Sequence, residues 1–214
     1  MSLPMQRLVE AVERAKKEAK PRRFKQSYEV IIKLKDVDVK KPESRIMMNV
    51  KLPHPPADKL AKVCVIATGD LALKAKEVAD LVIDRDELQK IAGSKKEAKK
   101  LAKSYDFFVA QADLMPMIGR LLGRYLGPRG KMPTPVPPNV DIKAVVDRLR
   151  GSVRVRIKDQ PVVMCRVGSE DQSPEEVAKN ITEVLNAILS RFKPYNIDRV
   201  YVKLTMGPAV KVER

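Results

Sequence analysis

Three short runs in the middle of this chain, Val63-Cys64-Val65-Ile66-Ala67, Leu81-Val82-Ile83 and Phe107-Phe108-Val109-Ala110, are apolar at every position. A strand with one face in water alternates apolar and polar residues, so a strand with no polar position must be covered on both faces. Helical patterns over 71–79, 85–92 and 94–103 lie between the runs. After them Asp113 is placed to cap a helix carrying Met117, Ile118, Leu121, Leu122 and Tyr125. This alternation predicts a small parallel sheet between two helical layers, a Rossmann-like βαβ unit. A further helix over 141–149 is expected to end on Gly151 as its C-cap.

The flanking segments follow another pattern. Leu8-Val9, Val12, Ala15 and Ala19 recur at helical spacing, which predicts an amphipathic helix over 4–20, stopped by Pro21. Residues 28–34 and 45–52 read as strands, and Pro53-His54-Pro55-Pro56 punctuates the chain. Further on, Val153-Arg154-Val155-Arg156-Ile157-Lys158 alternates with period two. Asp159-Gln160-Pro161 turns, and Val162-Val163-Met164-Cys165-Arg166-Val167 returns. Ser173 then caps a helix with Pro174 at its first position and the stripe Val177, Ile181, Val184-Leu185, Ile188. Val200-Tyr201-Val202-Lys203-Leu204 is the last clear strand.

Each flank is too short to bury a core of its own. Residues 1–57 and 151–214 are therefore expected to share one discontinuous α+β domain, an antiparallel sheet with helices on one face. Residues 58–150 form the inserted α/β domain, and the two crossing strands act as the hinge. Three units in a row is the alternative arrangement.

Charge limits what such a chain can do. Lysine and arginine number 43 against 27 acidic residues, a net charge of +16. A surface this positive concentrates polyanions. Residues 58–150 hold 18 basic and 12 acidic side chains; the flanks hold 25 and 15. Catalytic groups are scarce, with one histidine and two cysteines. Cys64 and Cys165 sit in apolar strand-like runs without a CxxC partner and read as buried small hydrophobes. No phosphate-binding glycine motif and no metal-ligand spacing occurs, so no cofactor and no metal is expected. No run is long enough to span a membrane, no secretory signal is visible, and a reducing cytoplasm is the expected compartment. With aromatics at only 4%, single-strand readers built on rows of stacking rings are disfavoured.

Two stretches concentrate the chemistry. Gly123-Arg124-Tyr125-Leu126-Gly127-Pro128-Arg129-Gly130-Lys131-Met132-Pro133 reads as a tight loop that Arg124, Arg129 and Lys131 make favourable to phosphate. Lys203-Leu204-Thr205-Met206-Gly207-Pro208 offers a hydroxyl, an adaptable apolar contact and a glycine that admits close backbone approach. Arg154, Arg156 and Lys158 place three cations on one strand side, where phosphates would supply the counter-charge. The lysines at 95, 96, 99 and 100 read equally as a solvated helix face.

These stretches resemble the ribosomal protein L-one family, the side-stalk proteins of the large ribosomal subunit. Its signature is matched from Ile118 through Gly127-Pro128-Arg129-Gly130-Lys131-Met132-Pro133, its C-terminal motif by Thr205-Met206-Gly207-Pro208, and its N-terminal one by Arg23-Phe24-Lys25-Gln26-Ser27-Tyr28-Glu29. Lys131 and Val136-Pro137-Pro138 resemble the archaeal-type branch; Pro55-Pro56 departs from the glycine that usually follows the family's histidine. The resemblance implies a non-enzymatic protein whose discontinuous domain binds the large-subunit rRNA stalk. Arg23, Phe24, Ser27, Glu29, Lys203, Thr205, Met206, Gly207 and Pro208 would line the contact, with Arg154, Arg156 and Lys158 as phosphate partners. It also implies that exit-site tRNA faces the inserted domain, that the chain represses translation by binding its own mRNA, and that it is a monomer off the ribosome. An RNA-modifying or nucleotide-using α/β enzyme and a DNA-architectural protein are the alternatives.

Overall fold

A computed structural model describes residues 3–213. In chain order the first elements are α1 (Met5–Glu18), β1 (Ser27–Leu34), β2 (Met47–Lys51) and β3 (Val63–Ile66). Next come α2 (Gly69–Lys76), β4 (Leu81–Ile83), α3 (Arg85–Gly93), α4 (Lys95–Ser104), β5 (Phe107–Gln111) and α5 (Met115–Leu126). The remainder are β6 (Thr134–Val136), α6 (Ile142–Arg150), β7 (Ser152–Arg156), β8 (Val162–Ser169), α7 (Pro174–Leu189), β9 (Ile197–Leu204) and β10 (Val210–Lys211). Residues up to Leu60 and from Gly151 onward make one compact unit; Ala61–Arg150 make the other. Residues 58–60 therefore go with the outer unit.

The outer unit is built on an antiparallel sheet in the order β10-β9-β1-β8. Tyr28, Val30 and Ile32 of β1 point to the same side as Val200, Val202 and Leu204 of β9, and are buried under Leu8, Val12 and Ala15 of α1 and Val177, Ile181, Val184 and Ile188 of α7. The polar positions between them, Glu29, Lys33, Arg199 and Lys203, fall on the opposite side of the sheet. Period-two strands plus two amphipathic helices thus yield a sheet covered on one face. Ser173 caps α7 through Glu176 N, and the Glu176 carboxylate accepts from Ser173 N, a complete capping box.

The inner unit carries the parallel sheet, ordered β4-β3-β5-β6. The runs 63–67, 81–83 and 107–110 are apolar throughout because successive residues enter different cores. Val63, Val65, Phe107 and Val109 pack with α2 and α6. Cys64, Ile66, Phe108 and Ala110 pack with α3, α4 and α5. Burial pushes the Cys64 thiol above its usual range and the Cys165 thiol up to about 12, so neither is a ready nucleophile.

Several expectations are corrected. The 153–158 and 162–167 runs do not fold back on one another as a paired hairpin. β7 pairs with β2 in a separate two-stranded ribbon, Met47 opposite Arg156 and Lys51 opposite Ser152, while β8 pairs with β1. Backbone bonds Leu52 N to Gly151 O and Ile157 N to Ile46 O extend the ribbon at both ends, and residues 157–161 carry the chain across to the sheet. Asp113 does not cap α5: it lies in a 3-10 turn, its carboxylate accepts from Gln111 Nε2, and Leu114 precedes the helix without a side-chain cap. Gly151 does follow the last residue of α6, Arg150, as expected, but without the positive φ of a left-handed cap. β6 has no strand pattern in the sequence, since Thr134-Pro135-Val136 carries a proline; at the sheet edge Pro135 need donate nothing to a neighbour.

Candidate nucleic-acid interface

Two distant parts of the chain meet at one end of the antiparallel sheet. β1 begins at Ser27 and β9 ends at Leu204, and antiparallel pairing sets Tyr28 opposite Leu204. The residues just past each strand end then become neighbours. Thr205 Oγ1 accepts from Ser27 N at 3.1 Å and donates to Ser27 O at 3.3 Å, while Thr205 N also donates to Ser27 O. Met206 N donates to Gln26 Oε1 at 3.1 Å. Gln26 and Ser27 are buried, so these bonds are shielded and rigid.

Around this clasp the charged groups are held by named partners. Glu29 lies opposite Lys203 on one side and Arg166 on the other. Lys203 Nζ sits 3.6 Å from Glu29 Oε2 and donates to Thr205 O at 2.9 Å. Lys59 Nζ donates to Ser27 Oγ at 2.9 Å and to Lys25 O at 2.7 Å, and the Arg166 guanidinium donates to Lys59 O. The Asp171 carboxylate, hydrogen-bonded to Lys25 at 2.5 Å, raises that ammonium above its usual pKa. Two apolar side chains stand out into solvent beside these ions: Phe24 is 51% exposed and Met206 56%. Arg23 is exposed next to Phe24.

The arrangement offers a ring and a thioether for base contact, a carboxylate to accept from a hydroxyl, and preorganised cations for phosphate. Glu29 beside Lys203 suits a ribose 2′-OH, the group that separates RNA from DNA. Lys59, Arg166 and Gln26 were not picked out from the sequence. Lys59 and Arg166 lie far from either motif along the chain, and only sheet register brings them in.

Arg154, Arg156 and Lys158 lie elsewhere. Arg154 and Arg156 are on the β2–β7 ribbon, not on a strand adjoining β1 or β9, and Lys158 lies past the end of β7, 3.4 Å from Asp159 Oδ2. Gly207 has an internal reason for its lack of a side chain: a Cβ there would come 3.1 Å from Ala19 Cβ and 3.4 Å from Leu204 Cβ. Pro208 is exposed beside it. In the inner unit the basic loop is tied to its own backbone. Lys131 Nζ donates to Ala102 O at 3.1 Å and Tyr105 O at 2.6 Å, and Arg129 donates to Tyr125 O at 2.8 Å. Arg124 lies 4.8 Å over the Tyr125 ring. Gly130, at φ +64°, makes the turn that brings Lys131 back.

A family model described as "Ribosomal protein L1p/L10e family" matches residues 15–208, a span that holds both strand ends of the clasp and the basic loop. The chain belongs to this family. It is 61% identical over 95% of its length to "Large ribosomal subunit protein uL1" of Thermofilum pendens, covering 93% of that protein. The protein of the same name from Pyrococcus horikoshii is 51% identical, with 100% of this chain and 98% of the relative aligned. That of Methanocaldococcus jannaschii is 48% identical, with 97% and 95% aligned. The family is one of structural, non-enzymatic ribosomal proteins, so the α/β-enzyme alternative falls. Among the described residues no helix is long and apolar enough to cross a membrane.

Proposed function

We propose that this chain is a structural protein of the large ribosomal subunit, and that the unit holding both chain ends binds large-subunit rRNA at the mobile side stalk. The observation that carries the reading is the Thr205–Ser27 clasp, which fixes exposed Phe24 and Met206 beside the Glu29–Lys203 pair. A folded RNA is then read by base contact at the two apolar tips and by hydroxyl recognition at Glu29. Arg23 serves as phosphate contact there, as do Arg154 and Arg156 on the ribbon and Lys158 just past its end. The protein's own mRNA, where it presents the same shape, occupies the same surface and is thereby repressed. The inner unit, with Arg124, Arg129 and Lys131, faces exit-site tRNA and aids its release. Off the ribosome the chain is a monomer.

The test is binding of the full chain to a stalk fragment of large-subunit rRNA. Met206→Ala and Thr205→Ala are each expected to weaken binding by about 1–3 kcal/mol, the usual loss at a desolvated contact. Met206→Ala should leave the thermal midpoint unchanged, since the side chain is exposed. Affinity should fall with salt at a slope of roughly 0.7–0.9 per phosphate neutralised. Unchanged affinity in both variants removes this end of the sheet from the interface.

A further inference from the structure

The inner unit has a cationic surface that the clasp does not use. α4 carries Lys95, Lys96, Lys99, Lys100 and Lys103, all exposed, while its other side, Ala98, Leu101 and Ala102, is buried against the core. The lysines stand at spacings of one and four residues, so they form one face with cations about 6 Å apart along the axis. That is the scale on which phosphates follow one another along a nucleic-acid strand. Among the described residues none of these five ammonium groups has an ion-pair partner. Lys95 with Lys99, Lys96 with Lys100 and Lys99 with Lys103 are like-charge i,i+4 pairs, which disfavour an isolated helix. The face is held in place all the same. Ser94 caps its start, and Lys131 from the basic loop donates to Ala102 O and Tyr105 O at its end.

We infer that this α4 face is a second RNA-docking surface, one that grips the phosphate backbone of an RNA helix without reading its sequence. Lysine is a compact point charge; the planar arginine fork that favours bidentate carboxylate pairing is absent from the face. An anionic membrane is the poorer fit, because a helix lying in a bilayer surface exposes apolar residues and those of α4 are all buried. The five cations neutralise backbone charge on a rigid helix, so the contact is strongly salt-dependent and indifferent to base identity. This surface belongs to a different unit from the Thr205 clasp, and either can fail without the other.

The test uses the full chain carrying K95Q, K96Q, K99Q and K100Q together, since glutamine keeps helix propensity. The probe is a mixed-sequence RNA duplex, followed by anisotropy across a salt series. The expected result is a duplex affinity at least tenfold weaker at low salt and a salt slope shallower by about 2–3. The same four positions changed to arginine should restore both values, and circular dichroism should be unchanged throughout. Stalk-fragment binding that depends on Met206 should persist in the glutamine variant. An unchanged duplex slope in a folded glutamine variant overturns the proposal. So does a variant that loses binding to phosphatidylserine vesicles while keeping binding to duplex RNA.

Discussion

The two units set their cations in different surroundings. At the end of the antiparallel sheet, Lys59, Arg166 and Lys203 are fixed around a polar clasp that joins residues 178 positions apart, with exposed Phe24 and Met206 alongside. In the parallel unit, Lys131 and Arg129 turn back onto carbonyls of their own fold, and five further lysines stand exposed on one face of α4. Both units tie cations to their own carbonyls, Lys59, Arg166 and Lys203 in one and Arg129 and Lys131 in the other. What differs is what stands beside them: two exposed apolar side chains at the sheet end, a face of exposed lysines on α4.

The comparison can be broken most sharply at Asn180. This side chain is fully buried, accepts from His54 N at 2.9 Å, and donates to His54 O and Val167 O, both at 2.7 Å. Asn180→Leu strips these groups of a partner and should cost about 2–4 kcal/mol in urea unfolding, with an unchanged m-value. A loss below about 1 kcal/mol would show that the outer unit does not depend on its buried polar bonds.

A smaller effect is expected at Tyr28. Among the described residues its buried hydroxyl has no hydrogen-bond partner, and burial, with Glu170 nearby, pushes its pKa up to about 12. The folded state therefore holds the phenolic proton more tightly than the unfolded chain. Stability is intact below pH 10 and falls as pH rises from there towards 12, by on the order of 2 kcal/mol. Tyr28→Phe should flatten that part of the pH–stability curve and leave stability at neutral pH equal or higher. A curve that keeps its alkaline limb in the variant assigns the limb to another group.

The smallest effect is expected at Lys131, which ties the basic loop to α4. Lys131→Met should lower the thermal stability of the inner unit by about 1 kcal/mol and leave stalk-fragment affinity unchanged. The reverse outcome, lost affinity at full stability, would make Lys131 an RNA contact and erase the contrast between the units.

Much of the architecture is legible in residue patterns, and particular residues show why. Val63-Cys64-Val65-Ile66 can be apolar throughout only if alternate side chains enter different cores, and they do. The stripe Val177, Ile181, Val184, Ile188 needs one buried face, and α7 has it. Partner choice is not legible in this way. Val153 and Val155 alternate as well for β2 as for β8, and nothing local tells the chain to prefer Met47–Lys51. Edge strands are equally silent: Thr134-Pro135-Val136 lacks the pattern of a strand because an edge demands little of it.

Periodicity, capping residues and net charge are properties of neighbours along the chain, and by themselves they determined two sheet types, amphipathic helices and a strongly cationic surface. Family motifs marked Thr205 and Ser27 separately. That Thr205 closes on Ser27, that Lys59 and Arg166 join them, and that Lys131 caps α4 were decided only by the tertiary structure. The physical reason is range. A helix stripe needs information from within a few residues, whereas a hydrogen bond across 178 positions exists only once sheet register has brought its ends together.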